Sequence, residues 1–306
     1  MASAKEIKNR IKSIKDTQKI TNAMYLIAST KMRKAKEELD KTRPYFAYLQ
    51  SEIKRVFRTF EDVENKYMYP VKKDVVLDGK FVCLVITADK GLAGAYNLNV
   101  IKEAEKMLEE HPDTELFVVG EYGRQYFMQH HIPIKQNFLY TAQNPTLRQA
   151  REITSVLLEI FDTQKVDKVF LIYTDLKNGL NAEVKTTRML PFHRQHFYTD
   201  RGDDVDEIHY DFYPSPSAVL DTLIPSYVTG FVYSALVDGF CCEQNARMVA
   251  MDSANQNADS ILGELSIQYN RMRQAAITQE ITEVSAGAKA QKRKRLKKRQ
   301  REVKVV

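Results

Sequence analysis

Residues 4–43 read AKEIKNRIKSIKDTQKITNAMYLIASTKMRKAKEELDKTR, forty positions without a glycine or a proline. Within them Ala4, Ile7, Ile11, Ile14, Gln18, Thr21, Tyr25, Ala28, Met32, Ala35 and Leu39 recur at alternating steps of three and four. On a helix such steps align side chains along one stripe, the seam of a coiled coil. Isoleucine, leucine and methionine hold the ends of the seam, while Gln18 and Thr21 soften its middle. A second apolar row, Ile20, Met24 and Ile27, falls on another face. One partner helix covers one stripe only, so a further surface is expected over that row. Pro44 lacks the N–H the helical ladder needs and is expected to bend or interrupt the helix. After it Tyr45, Phe46, Leu49, Ile53, Val56 and Phe57 resume the pattern.

The partner is expected at the other end of the chain. After Pro214-Ser-Pro216, a short helix is predicted over Ala218 to Ile224, with Pro225 marking a restart. A helical pattern then runs to about Ala288 and includes Gly230, Gly239 and Gly263. Met251, Ala254, Ala258, Ile261, Leu265, Gln268, Met272, Ala275 and Gln279 repeat the three-four spacing, and the small Ala250, Ala254 and Ala258 admit a close neighbour. Two such helices predict an antiparallel coiled coil of the chain's own ends, reaching on the order of 80 Å at ~1.5 Å per residue.

Between them the period changes. Phe81–Thr87, Leu116–Val119 and Val169–Tyr173 are short unbroken apolar runs, as in strands buried on both faces. Helical patterns over Asn97–Glu110, Tyr122–His130 and Leu147–Phe161 separate them, and Val184–Leu190 reads as an edge strand. Alternation of this kind specifies a Rossmann-like, mostly parallel sheet with helices on it. The fold class is therefore α/β plus a long coiled coil. Its expected parts are a helix at 1–58, a linker at 59–77, the α/β domain at 78–205, and a helix with a basic tail at 206–306.

Charge is distributed unevenly. The net +6 of the 306 residues combines +9 in residues 1–58 and +9 in residues 289–306 with an acidic centre. Basic ends suit acidic partners. Composition is that of a soluble protein, no run approaches ~18 consecutive apolar residues, and no signal-peptide core or transit peptide is legible. Cys83, Cys241 and Cys242 lack CxxC spacing, which points to a reducing compartment without disulfides.

Few residues suggest chemistry. Asp89-Lys-Gly-Leu-Ala-Gly94 follows the first strand, where a nucleotide loop would sit. It lacks both the GK[ST] of a P-loop and the third glycine of a dinucleotide fingerprint, and reads as a structural turn. His193, His196 and His209 with Asp203, Asp204 and Asp206 make a metal site conceivable, but solvated loop residues fit them better. Arg201-Gly202-Asp203 is a chance tripeptide. No catalytic constellation, cofactor site or metal site is predicted. A basic coiled-coil nucleic-acid-binding protein, using the tail, is the alternative to a mechanical coil.

Two blocks carry a resemblance. Gln18-Lys-Ile-Thr-Asn-Ala-Met-Tyr-Leu-Ile-Ala28 with Lys31-Met-Arg-Lys34 resembles the N-terminal helix of the gamma subunits of F-type ATP synthases. Ala246–Met251, Asn257-Ala258 and Tyr269–Glu283 resemble that family's C-terminal helix, and Asp89–Gly94 the turn after its first strand. The resemblance implies the central stalk of a rotary machine, without catalysis or cofactor of its own. It implies partners in the ring of alpha and beta subunits, the epsilon subunit and the membrane ring of c subunits. Its place would be peripheral, on the cytoplasmic face of a bacterial membrane. Carried over by position, Met24, Arg247, Gln274, Thr278 and Glu280 are expected to meet the alpha/beta ring. Arg43, Pro44, Tyr45, Phe212, Tyr213 and Pro214 are expected at the foot on the c ring. Asn22 departs from a common lysine, Tyr213 from a common acid, and Lys292–Arg299 extends past the usual end. That extension is expected to lengthen the last helix and to act as a brake.

Overall fold

The structure is a computed structural model that describes residues 4–60, 63–69, 79–138, 142–164, 166–177, 181–193, 197 and 211–302; the side chains of 176, 177, 181 and 295–302 lie outside the account. The elements run α1 (Ala4–Thr59), β1 (Phe81–Ile86), α2 (Tyr96–Glu110), β2 (Glu115–Val119), α3 (Glu121–Gln129), β3 (Ile134–Phe138), α4 (Leu147–Thr163), β4 (Lys168–Lys177), β5 (Asn181–Leu190) and α5 (Pro216–Glu302). Two compact units emerge: Met1–Met24 with Met251–Val306, and Tyr25–Ala250.

In the Tyr25–Ala250 unit, the five strands lie in the order β3-β2-β1-β4-β5. All neighbours are parallel except β4 and β5, which are antiparallel. Successive side chains of a strand point to opposite faces. Val82, Leu84 and Ile86 accordingly join one core with Ile53, Val56 and Phe57 of α1, Ile153 and Leu157 of α4, and Ile224, Val228 and Val232 of α5. Cys83 and Val85 turn the other way, onto Val100, Ile101 and Ala104 of α2 and Phe127 of α3. The sheet is thus the middle of three layers, and the three strand runs named from sequence are its three central strands. The sequence reading missed β3, Ile-Lys-Gln-Asn-Phe, which has an apolar residue only at each end. An edge strand needs less burial and leaves a weaker pattern.

Prolines did not break the long helices. α1 passes through Pro44, and α5 starts at Pro216, a favoured first position, and passes through Pro225 without a restart. Ile224 and Val228, fully buried on either side of Pro225, hold the backbone helical against the local loss of one N–H. The Thr229 hydroxyl donates to Pro225 O at 2.8 Å. Close contact of α1 with α5 depends on Gly230: a Cβ there would stand 2.0 Å from Cδ1 of Phe46. An 18-residue window of α5 reaches a mean hydropathy of 1.2, enough by length and composition to cross a membrane. Half of that window is buried inside the fold, where its apolar face covers the sheet.

In the other unit the ends of α1 and α5 run antiparallel. Gln18 Nε2 donates to Asp259 Oδ1 at 2.8 Å and Asn255 Nδ2 to Asn22 Oδ1 at 2.6 Å, so moving down one helix moves up the other. The Thr21 hydroxyl also donates to Asn255. The α1 seam is as read, with Ile7 buried and Ile11, Ile14, Gln18 and Thr21 half-buried. The α5 seam is corrected by one residue at alternate rungs. Met251, Ala254, Asn255, Ala258, Leu262, Leu265, Tyr269 and Met272 are its buried or half-buried members, whereas Ile261 and Gln268 are exposed. Phase is local to a helix, and Ile261 and Leu262 are apolar alike, so only the partner decides between them. Of the second row of α1, Ile20 and Ile27 are 62% and 55% exposed, joined by Leu26 at 65%. Met24 is half-buried and departs from that row.

Candidate functional site

In a parallel sheet, ligands bind beyond the carboxyl ends of the strands where the chain order reverses. Here the reversal lies between β1 and β4, with Asp89–Gly94 at its mouth. The residues that follow β1 tie this loop to the fold. Asn97 Oδ1 accepts from Ala88 N at 2.9 Å, and Asp89 Oδ1 accepts from the N–H of Glu121 at the start of α3 at 3.2 Å. Gly120, at φ 96°, lets β2 turn into α3, since a Cβ there would stand 2.2 Å from Thr87 O.

Helix α5 closes the crevice. Arg247 donates to Gly91 O at 3.0 Å and pairs with Glu243 at 2.6 Å, with only 11% and 3% of their side chains exposed. Burial pushes the Glu243 carboxyl above its ordinary range, opposed by Arg247; burial also raises Asp89. The space left among Thr87, Ala88, Tyr96, Gln149 and Glu243 is about 10 Å³. That is room for roughly one water. Asp89–Gly94 thus ties α3 to the end of β1 and receives Arg247 of α5.

Other candidates resolve individually. The ring of His193 stacks on Tyr69 at 4.3 Å, and the Arg188 guanidinium lies 4.7 Å from the same ring. His196, His209, Asp203, Asp204, Asp206 and Arg201-Gly202-Asp203 lie outside the described residues. Cys83, Cys241 and Cys242 are buried, and burial pushes the thiols of Cys241 and Cys242 up to about 12, which leaves them inert.

The residues matched to ring contacts divide into two kinds. Gln274, Thr278 and Glu280 are exposed. They belong to a stretch of α5, Arg273 to Lys294, in which every residue is exposed. Given the antiparallel register, that stretch lies past the beginning of α1 at Ala4, so α5 outruns its partner there. Ile277, Ile281 and Val284 form an apolar row along it, 44%, 64% and 73% exposed. Arg247 belongs to the other kind, since the fold already uses its charge. Among the foot residues, Tyr45 and Tyr213 are 54% and 93% exposed, Arg43 pairs with Asp40 at 3.4 Å, and Phe212 packs edge-on against Phe60. Sequence reasoning missed the Glu243–Arg247 pair, although spacing of four on a helix was a signal for it.

A sheet unit whose crevice holds its own helix, and an antiparallel helix pair with an open apolar row, define an α/β protein with a long coiled coil. The family model described as ATP synthase matches residues 3–291. The ATP synthase gamma chain of Caldanaerobacter subterraneus subsp. tengcongensis is 41% identical over 93% of this chain and 98% of its own length. The sodium-ion-specific gamma chain of Acetobacterium woodii is 34% identical over 94% and 98%. A rotor chain of the Euglena gracilis mitochondrial ATP synthase shares the fold at TM-score 0.61 and 15% identity, over 90% of this chain and 98% of that one. The chain belongs to the ATP synthase gamma family, the non-catalytic central-stalk rotor of that enzyme. Membership removes the reason for the nucleic-acid alternative.

Proposed function

We propose that Gln274, Thr278 and Glu280, with Met24 and Arg247, form the surface on which the alpha and beta subunits of the catalytic ring bear. We also propose that Arg43, Pro44, Tyr45, Phe212, Tyr213 and Pro214 meet the c ring beside the epsilon subunit, on the cytoplasmic face of the membrane. Ion-driven turning of the c ring would then be passed to the beta sites. The observation that carries this reading is the stretch of α5 from Arg273 to Lys294, uncovered among the described residues, with its apolar row at Ile277, Ile281 and Val284. A lone helix in water is marginal, and a lone helix with an apolar row calls for a sleeve. Ile20, Leu26 and Ile27 ask for cover in the same way. Arg247 reaches a ring carboxylate only by leaving Glu243, so its part differs from that of an already open residue.

Single cysteines at Ile281 and Tyr213 in the assembled enzyme test both contacts. Under mild oxidation with cysteines placed in the partners, Ile281→Cys should crosslink to alpha or beta and Tyr213→Cys to c. Crosslinking of neither, in an enzyme that still turns over, would refute the assignment.

A further inference from the structure

A second cavity lies in the Tyr25–Ala250 unit, on the outer side of α4. Its volume is about 350 Å³, and it opens between α4 and the segments of α1 and α5 that carry Pro44 and Pro225. That is within the usual size range of small-molecule sites. Its walls are of two kinds. Tyr45, Phe46, Leu147 and Leu158 supply apolar surface, while Arg151 and Thr154 supply donors. No aspartate or glutamate lines it among the described residues.

Among the described residues, neither Arg151 nor Thr154 has a side-chain partner. Thr154 is 2% exposed and its hydroxyl oxygen is buried without a hydrogen bond among the described residues. Such a group forfeits its bond to water and gains nothing in return. In a helix a threonine divides between two χ1 rotamers, and the step between them exchanges methyl and hydroxyl at the cavity wall. Arg151 stands one helical turn away on the same face of α4, exposed and without a carboxylate among the described residues. Its neighbour Arg148, by contrast, is paired with Glu152 at 3.1 Å. A guanidinium and a hydroxyl one turn apart, above an apolar floor, recognise an anionic head on an apolar body.

We propose that this cavity binds an anionic amphiphile, its carboxylate or phosphate held by Arg151 and Thr154 and its chain laid against Tyr45, Phe46, Leu147 and Leu158. At roughly 30 Å³ per water-sized group, the cavity holds about a dozen such groups, which matches a ten-carbon chain with its head. Tyr45 is the one wall residue that is also a proposed foot residue; the head-binding pair, Arg151 and Thr154, belongs to α4 and does not rest on the foot contacts.

The test is calorimetric titration of the full chain with decanoate, decyl phosphate and 1-decanol, which have the same tail and differ in head. Saturable binding of decanoate or decyl phosphate, with 1-decanol at least about tenfold weaker, is expected. Binding of decanoate alone identifies a fatty carboxylate as the source. Tighter binding of decyl phosphate identifies a phosphate head such as a lipid's. Arg151→Gln should weaken both anions by about tenfold and leave 1-decanol unchanged. Thr154→Val should act in the same direction, and Ser155→Phe, from the exposed rim, should block all three. Arg151 is exposed, so its variant keeps the test alive if Thr154→Val folds poorly. Absence of saturable anion binding up to about 5 mM would overturn the proposal, as would equal affinity in Arg151→Gln. A cysteine at Ser155 that another subunit shields from labelling in the assembled enzyme would also overturn it, making the cavity a protein interface.

Discussion

Between Tyr25 and Ala250 the two long helices pack on a sheet, whereas in the unit formed by the chain ends they have, among the described residues, only each other. The first region buries its members completely: Ile53, Val56, Ile224, Val228 and Val232 are at 0% exposure. In the second, Ile7 and Met251 are buried, the other seam members are half-buried, and polar bonds at Gln18, Thr21 and Asn22 interrupt the apolar rungs. The same two sequence patterns thus give a rigid body in one place and a thin coil in the other. Stability follows area removed from water, about 25 cal/mol per Å², so the sheet unit is expected to dominate.

The contrast can be broken at several points. The largest effect is expected at Phe57, 1% exposed in the main core, where Phe57→Ala should cost about 3–5 kcal/mol in thermal or denaturant unfolding. A loss no greater than that of a coil mutation would mean that the sheet unit does not dominate. Arg247→Ala comes next. It leaves Glu243 buried without its cation and should cost about 3 kcal/mol, restored in part by adding Glu243→Gln. If Arg247→Ala left stability unchanged but impaired the assembled enzyme, Arg247 would belong to the ring contacts and not to the crevice.

Asp238 sharpens the comparison through pH. Burial, then the nearby Asp175, raise its carboxyl from 3.8 to about 6, against the pull of Ser234, Arg43 and Lys185. A carboxyl whose folded pKa is raised lends stability that is full below its unfolded pKa and is lost as pH rises through about 6. Asp238→Asn should therefore gain over the natural chain between pH 4 and 7, by up to about 2–3 kcal/mol at the upper end. A constant difference across that range would contradict the raised carboxyl. The smallest effects belong to the coil. Ile11→Ala should cost about 1 kcal/mol, and deleting residues 289–306 should leave the melting of the sheet unit within about 0.5 kcal/mol. If that deletion also left hydrolysis and synthesis by the whole enzyme unchanged, the tail would be no brake.

Much of this was legible without coordinates. Period alone placed the terminal helices, the three central strands and α2, α3 and α4, because buried runs and three-four stripes are local consequences of backbone geometry. It failed where local signals were weak or were outvoted. The half-polar β3 was missed, and Pro225 was read as a restart that packing overrides, while at Pro44 the interruption that was one of two expectations does not occur. Ile261 was preferred to Leu262 where only the facing helix could choose.

By itself, the sequence determined which segments are helix and strand, that the ends form an antiparallel coil, and to which family the chain belongs. Only the tertiary structure decided that Arg247 and Glu243 fill the crevice at Gly91. It alone also showed that α5 outruns α1 from Arg273 onward, and that Arg151 and Thr154 share an open cavity with Tyr45. The physical reason is separation along the chain. Periodicity records what a residue's own helix or strand does, whereas a plug, an overhang and a cavity depend on partners more than a hundred residues away.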